Sequence, residues 1–531
     1  NPILINGQPL SITSNLEKAL RQLRQTNSVR ILWVDAICIN QNSIEERNHQ
    51  VNLMGLIYSR ADKVLLWLGP TKIKEDSDFL FDAITSKSYN SKDLDILRFR
   101  FALASLCRRP WFTRVWVVQE LALSSADPCL ICGSKSLSWH VFINCLQDIY
   151  SELSTEQTLP RATATRFSEA WEQNPDPYAT LFTSRLGTLI SDVLALHEVR
   201  LHHRNSYLEQ QLARTYHFQS SDPRDKVFSL LGISKFHGPP ILPDYSKPVE
   251  TVYAEAMIEV LNHGFSQSFS EYYLLMNRVR PDGWPSWVPD FTEHDHRWRV
   301  SRISSPTNRH SDRSCILPDL LRNVARVSSD LKVLSTKGQV LGKIIAVEDL
   351  TMGSYSIAHV QLQRIKHLFQ PYNVNGHIIL DAILGNNVGR PHLSTEDLAA
   401  LTQGFMDFWE SLELTFAFDW LALQEQRSKY NWIFEFISQG LMYDRTLFLT
   451  ETGRFGLGPR KPGIQKDDIL VALFGDWEFP MILRQREPSE QELDSRYYTM
   501  VGSANISGHH WWDPGSRTKV SSTNWVEFEI H

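Results

Sequence analysis

The sequence predicts an α/β domain built on a parallel sheet at its N-terminal end, then a helical region, then a β-rich C-terminal domain carrying a helical insertion. Three observations lead there. Near the front, amphipathic stretches that open on capping boxes alternate with short continuous apolar runs, the rhythm of doubly buried strands joined by crossover helices. The segment that follows is charge-rich with a helical pattern. From about residue 326, apolar residues recur at the strand period between glycines and prolines. At 531 residues the chain is too long for one core. The expected boundaries are 1–145, 146–240, a linker and mixed segment at 241–325, and 326–531 with the insertion at 355–440.

Taken in order, Ser14-Asn15-Leu16-Glu17 reads as a capping box, and Leu16, Ala19, Leu20 and Leu23 form an apolar face behind it. The run Ile31-Leu32-Trp33-Val34-Asp35-Ala36-Ile37-Cys38-Ile39 reads as a strand buried on both faces, interrupted by one carboxylate. A second capping box, Ser43-Ile44-Glu45-Glu46, opens a helix with Val51, Met54, Ile57, Tyr58 and Ala61 on one side. Val64-Leu65-Leu66-Trp67-Leu68 is the next buried strand, stopped by Gly69-Pro70. Ligands of such sheets bind beyond the carboxyl ends of the strands. That edge would hold Asp35 and the loop bearing Cys38, Asn40 and Gln41. A buried aspartate that serves only as a structural acceptor fits the same pattern.

Trp116, Glu120 and Leu123 lie at i, i+4 and i+7, so a carboxylate sits among apolar residues on one helical face. Burial of that kind raises a carboxyl pKa unless a cation or donors oppose it. Arg109 and Arg114 are near enough in sequence to oppose it. Two readings fit: an Arg–Glu pair fastening the helix, or a carboxylate kept for chemistry.

Composition narrows the function. Net charge is −6, with lysines and arginines dispersed, so no basic field exists to attract nucleic acid or an anionic membrane. No run of ~20 apolar residues predicts a spanning helix, and residues 1–30 lack the layout of a secretory signal. Six cysteines suggest no disulfide framework, and the expectation is a reduced cytoplasmic protein. Cys129-Leu130-Ile131-Cys132 has no second ligand pair at matching spacing, so it reads as a short buried strand and no metal site is expected. Glu293-His294-Asp295-His296 reads as solvated surface, and His509-His510-Trp511-Trp512 is assigned no role.

Further along, Pro239-Pro240 and Pro243-Asp244-Tyr245 mark a linker, followed by a helix over 249–260. Strands are expected at 331–335 and 339–347 around a Lys337-Gly338 turn, and at 446–450, 468–474, 480–484, 498–502 and 526–530. The glycines of 452–459 read as tight turns between short strands.

The residues also carry a resemblance. Leu32-Trp33-Val34-Asp35-Ala36-Ile37-Cys38-Ile39-Asn40-Gln41, then Glu46-Arg47, Gln50, Met54, Tyr58, Ala61 and Trp67-Leu68-Gly69, resembles the first signature block of fungal heterokaryon-incompatibility (HET) domains. Arg109-Pro110-Trp111-Phe112-Thr113-Arg114-Val115-Trp116-Val117-Val118-Gln119-Glu120 resembles the second. Ser221-Asp222-Pro223-Arg224-Asp225-Lys226-Val227-Phe228-Ser229-Leu230-Leu231-Gly232 is similar to the segment that commonly follows the domain. Trp284-Pro285-Ser286-Trp287-Val288-Pro289-Asp290-Phe291 and the glycine-rich 452–468 segment resemble regions of long fungal HET proteins. Family members usually begin with a strand like Tyr-x-Ala-Leu-Ser-Tyr-x-Trp-Gly. This sequence starts just after where that strand would fall, so a sheet with its first strand missing or replaced is expected.

HET domains are in turn distantly similar to TIR domains, which have a flavodoxin-like parallel sheet. Trp116-Val117-Val118-Gln119-Glu120-Leu121 stands in the pattern around the catalytic glutamate of NAD-cleaving TIR domains. The resemblance implies fungal nonself recognition and programmed cell death. It further implies cleavage of NAD, as substrate rather than cofactor, at the nicotinamide–ribose bond, with Glu120 as the catalytic carboxylate. Asp35, Cys38, Asn40, Gln41, Arg109, Trp111, Arg114 and Trp116 are then the candidate substrate-binding residues. The other reading is a non-enzymatic signalling module, in which the same residues are structural and the partner is another protein or a second copy.

Overall fold

The computed structural model describes residues 2–72, 76–90, 95–156, 186–215, 217–262, 280–292, 325–350, 355–384, 395–412, 445–460, 463–473, 480–486, 497–506 and 525–531. The Glu293–His296 and His509–Trp512 clusters lie outside them, as does 413–440 of the expected insertion. The chain divides into two units, Asn1–Val252 and Tyr253–His531. The expected segments 1–145 and 146–240 fall in the first unit, and 326–531 falls in the second.

The first unit opens on a hairpin. β1 (Pro2–Ile5) and β2 (Gln8–Ser11) pair antiparallel around Asn6-Gly7, with φ of 50° and 81°. Positive φ at both central residues is the turn whose twist suits a two-residue hairpin, and Asn-Gly adopts it with little strain. Helix α1 (Ser14–Leu23) is capped by Thr13, one residue before the expected Ser14, whose hydroxyl accepts the Leu16 N–H at 3.2 Å.

The apolar run at 31–39 is not a strand. Its backbone is extended at Val34 (φ −139°, ψ 118°), but it pairs with no strand among the described residues and turns into a short helix, α2 (Asp35–Cys38). Ile31 is 95% exposed. Apolar continuity made this run look like a central strand. A strand also needs a neighbour to take its N–H and C=O groups, and none lies alongside.

Helix α3 (Ile44–Arg60) follows the second capping box: Ser43 Oγ accepts the Glu46 N–H at 3.2 Å, and the Glu46 carboxylate reaches back to the Asn40 N–H at 2.9 Å. β3 (Leu65–Trp67) runs parallel to β4 (Cys129–Cys132), which pairs antiparallel with β5 (Lys135–Ser138). Cys129 and Cys132 therefore sit in a short strand, as their unpartnered spacing suggested. The unit is α/β, and among the described residues its parallel pairing is β3–β4 together with isolated parallel bridges at Arg114–Gln219 and Tyr207–Lys235. The connection between those strands carries α4 (Ser77–Thr85), α5 (Ile96–Cys107) and α6 (Val117–Ala122), and α7 (Trp139–Glu156) follows β5. Helices α8 (Leu186–His202), α9 (Leu208–Thr215), α10 (Asp225–Phe228) and α11 (Val249–Asn262) follow. On α8 the buried residues Leu186, Ile190, Val193, Leu196 and Val199 recur at helical spacing and pack against α5, α6 and α7.

In the second unit β6 (Arg326–Val327) precedes β7 (Leu334–Leu350), one long strand where two strands and a turn were expected. Helices α12 (Tyr355–Phe369), α13 (Gly376–Leu384) and α14 (Thr395–Ser411) form the insertion. Strands β8 (Arg445–Thr450), β9 (Phe455–Pro459), β10 (Ile469–Leu473), β11 (Met481–Gln485), β12 (Tyr497–Ser503), β13 (Asn505–Ile506) and β14 (Val526–Ile530) complete it. β7 pairs in succession with β14, β10 and β8. Pairings β10–β11, β11–β12 and β12–β14 then close a ring through β7, which gives each strand of the ring two neighbours.

Both faces of β8 are buried, alternating with the strand period: Leu447 and Leu449 pack with Leu362, Ile365 and Phe405 of the insertion, whereas Phe448 packs with Leu341, Leu470 and Ile482 inside the ring. Each such fully buried side chain contributes about 1.5–3 kcal/mol. The Trp284-Pro285-Ser286-Trp287 motif is a buckle. Trp287 Nε1 donates to the Lys332 carbonyl at 3.1 Å, and Ser286 takes the Met500 N–H on its hydroxyl while donating its own N–H to the His531 carbonyl.

Gly338 explains why the expected turn is a strand. It is the position at which β7 passes from β14 to β10, and a Cβ there would stand 2.8 Å from the Ala472 carbonyl oxygen. The glycine serves a close backbone approach rather than a reversal of the chain. Gly338→Ala should destabilise the second unit by about 2–3 kcal/mol. Its thermal melt checks this, and an unchanged midpoint would refute the close approach.

Candidate functional site

The site is assembled by a tight turn and a very short helix. Pro110–Thr113 forms a 3₁₀ turn with proline at its first position, where a missing N–H costs nothing. The turn buries Trp111 and Phe112, which meet edge to face at 5.0 Å, with Trp139 6.3 Å from Trp111. Helix α6 follows with only six residues and no side-chain cap at Trp116. Its buried residues are Val117, Val118, Gln119, Leu121 and Ala122. The stripe Trp116, Glu120 and Leu123, expected to face the core, is the partly exposed one.

Glu120 is half-buried, and its Oε2 accepts the Trp111 Nε1–H at 3.1 Å. Burial raises its carboxyl pKa above the ordinary value. Arg114 and the Trp111 hydrogen bond oppose that rise, and the nearby Asp35 carboxylate adds to it. Arg114 is exposed and lowers the Glu120 pKa through space, yet no ion pair joins the two among the described residues. Tyr58 of α3 belongs to the same group. Its hydroxyl is held well above the usual phenol range by burial and by the Glu120 and Asp35 charges, against Arg114. Trp33 packs edge-on to Tyr58, with ring centroids 5.7 Å apart. Asp35 starts α2 and accepts the Ala36 N–H at 2.7 Å.

The other candidates fall elsewhere or are differently employed. Arg109 is 3% exposed and donates through Nη1 to the Leu68 and Pro70 carbonyls and to Cys132 Sγ, each at 3.0 Å, so it clamps the ends of β3 and β4. Trp116 Nε1 donates to Asp225 Oδ2 at 3.0 Å. Cys38 ends α2, and Asn40 and Gln41 follow on the loop to α3; all three are exposed, and the Asn40 carboxamide oxygen takes the Asn42 N–H at 3.2 Å. Among the described residues no group of three or more His, Cys, Asp or Glu could hold a metal ion, and no helix is long and apolar enough to cross a membrane.

Sequence reasoning missed Tyr58 as a site residue, although a tyrosine on an apolar helix face brings a hydroxyl that must be accommodated. It also missed the role of the 221–232 segment. Asp225 is buried and accepts from Trp116 and, at 2.5 Å, from the Tyr245 hydroxyl. Arg224 grips Asp222 through two bonds of 2.9 Å, and Arg47 of α3 lies 3.6 Å over the Tyr245 ring. The motif therefore binds its own chain.

Comparison with known proteins agrees with the two motif blocks. Residues 1–120 match the family model described as heterokaryon incompatibility protein (HET). The chain is also similar to heterokaryon incompatibility protein 6, OR allele, of Neurospora crassa, with 27% identity over 279 residues, covering 43% of this chain and 38% of that protein. The chain thus spans well under two thirds of that relative's length. No solved structure matches. The N-terminal part of the chain carries a HET domain.

Glu120 makes stability depend on pH in a defined direction. A carboxyl pKa raised on folding means that the folded chain binds the proton more tightly than the unfolded chain does. No penalty exists below the unfolded value, and it grows as pH rises through the raised folded value. Glu120→Gln should therefore melt with wild type at acid pH and above it at neutral pH. Melting curves across that range check this, and a variant less stable at neutral pH would show the carboxylate to be favourably paired.

Proposed function

We propose that this chain, which carries a HET domain over residues 1–120, acts in fungal nonself recognition and the cell death it triggers. In this reading the domain cleaves NAD at the nicotinamide–ribose bond with Glu120 as the catalytic carboxylate. The recognition role rests on the family match and on what the Neurospora crassa relative is called. The observation that carries the catalytic role is a half-buried glutamate that accepts one indole N–H, has an arginine near it, and is not consumed by an ion pair among the described residues.

The chemistry asks for little more. Nicotinamide leaves as a neutral ring from a cationic one, taking the electron pair of the C–N bond, so no general acid is needed. Water then bonds to the ribose carbon and releases a proton, giving ADP-ribose. The transition state carries oxocarbenium charge on the ribose, which one well-placed carboxylate stabilises. Arg114, exposed and close, suits the pyrophosphate. Asp35 and Tyr58, electrostatically coupled to that carboxylate, suit ribose hydroxyls.

Because Glu120 must be ionised, turnover should be weak at acid pH and rise as the pH passes its raised carboxyl pKa. Nicotinamide release from NAD by the purified chain is the measurement. Glu120→Gln should lower kcat by about 10²–10³-fold, and Arg114→Ala should act mainly on KM. No release by wild type, even under conditions that force self-association, would overturn the enzymatic reading in favour of a protein-interaction module.

A further inference from the structure

Helix α6 holds Glu120 but has little of its own to stand on. Six residues are far fewer than an isolated helix needs in water. Its N-cap residue, Trp116, offers no side-chain cap. Much of what holds the segment comes from residues beyond the matched 1–120.

At its leading end, the Val115 N–H donates to the Gln219 carbonyl at 2.8 Å, and the Gln219 N–H returns to the Thr113 carbonyl at 2.5 Å. The Trp116 indole donates to Asp225, whose second oxygen takes the Tyr245 hydroxyl. At its trailing end, Arg200 of α8 donates through Nη1 to the Leu121 and Ser124 carbonyls, at 2.5 and 3.0 Å, and through Nη2 to the Ala126 carbonyl at 3.1 Å. The Leu121 carbonyl lies in the last turn, where a helix end leaves carbonyls without partners, and Ser124 and Ala126 lie just beyond it. Between the two ends, Gln119 is 1% exposed and packs on Gly232, where a Cβ would come 3.0 Å from the amide nitrogen. Gly232 also lies against Gly55 of α3, so the middle of α6 is wedged between a helix and a turn.

We infer that Asp225 and Arg200 are positioning residues for Glu120: a collar from 200–232 sets where the carboxylate stands, and loosening the collar disables the site without touching Glu120. The catalytic arm of this inference rests on the NAD-cleaving reading, whereas the mechanical arm does not. Asp225 suits the task because it satisfies two donors on different segments with its two oxygens. An asparagine there can accept only through one and turns a donor toward the other. Arg200 suits it because one planar guanidinium spans three carbonyls, which an ammonium cannot do in the same geometry.

The test uses the full chain and the variants Asp225→Asn and Arg200→Lys, with Trp116→Phe added in case Asp225→Asn fails to fold. Hydrogen–deuterium exchange read by mass spectrometry should quicken about tenfold or more over 116–126 while exchange in α3 and α7 stays at the wild-type rate. If wild type cleaves NAD, the same variants should lose kcat with KM nearly unchanged, because an ill-placed Glu120 harms the chemical step and not binding. Unchanged exchange at 116–126, or an equal rise across α3 and α7, would overturn the inference. Failure of wild type to cleave NAD would overturn the enzymatic reading and leave the exchange result to decide the collar.

Discussion

A helix too short to hold itself is the constraint on which the N-terminal unit depends. α6 contributes a handful of backbone bonds, and nucleating such a helix costs more than those bonds return. Everything that keeps it in place is tertiary. α8 lies along it and caps its carbonyl end, the 221–232 segment ties its amino end, and α3 closes on Gly232 from the other side. The match at 1–120 ends on Glu120, yet many of the residues that hold its helix lie after it. The physical module is the whole of Asn1–Val252.

Two carboxylates in this module show how partners decide the use of a buried charge. Burial raises the pKa of both Glu120 and Asp225. Asp225 is then spent on two donors, a tyrosine hydroxyl and an indole N–H, and becomes part of the scaffold. Glu120 receives one indole N–H and retains acceptor capacity. The arginines divide the same way. Arg109, Arg200 and Arg224 give their donors to backbone carbonyls or to Asp222, whereas Arg114 keeps an exposed guanidinium beside Glu120.

Much of this could be read from the residues, and the misses have physical causes. Capping at Ser43 was legible because the signal is local and chemical. Most C-terminal strands were legible because alternation and flanking breakers are local too. The run at 31–39 misled because apolar continuity states what a segment would bury and not whether a neighbour exists to pair with it. The Asn6-Gly7 hairpin was overlooked although the dipeptide is among the strongest short-range turn signals. Gly338 was taken for a turn because a glycine required by close packing looks the same in sequence. At the site, Glu120, Asp35, Arg109, Arg114 and Trp116 were all named as candidates, but the partners that engage Arg109 and Trp116 were not visible. Their partners, Leu68, Pro70 and Cys132 for the one and Asp225 for the other, are 23 or more positions away.

The ring in the second unit has a consequence for biosynthesis. β14 pairs with β7 across a sequence separation of more than 180 residues, and the insertion, β8 and β9 must all emerge from the ribosome between them. Until β14 arrives, β7 and β12 each present an unpaired edge of backbone donors and acceptors to whatever strand is nearby. Such long-range closure is slow, and the open intermediate is prone to aggregate. A message or protease that cut the chain short of β14 would thus release a sticky product rather than a merely shorter one.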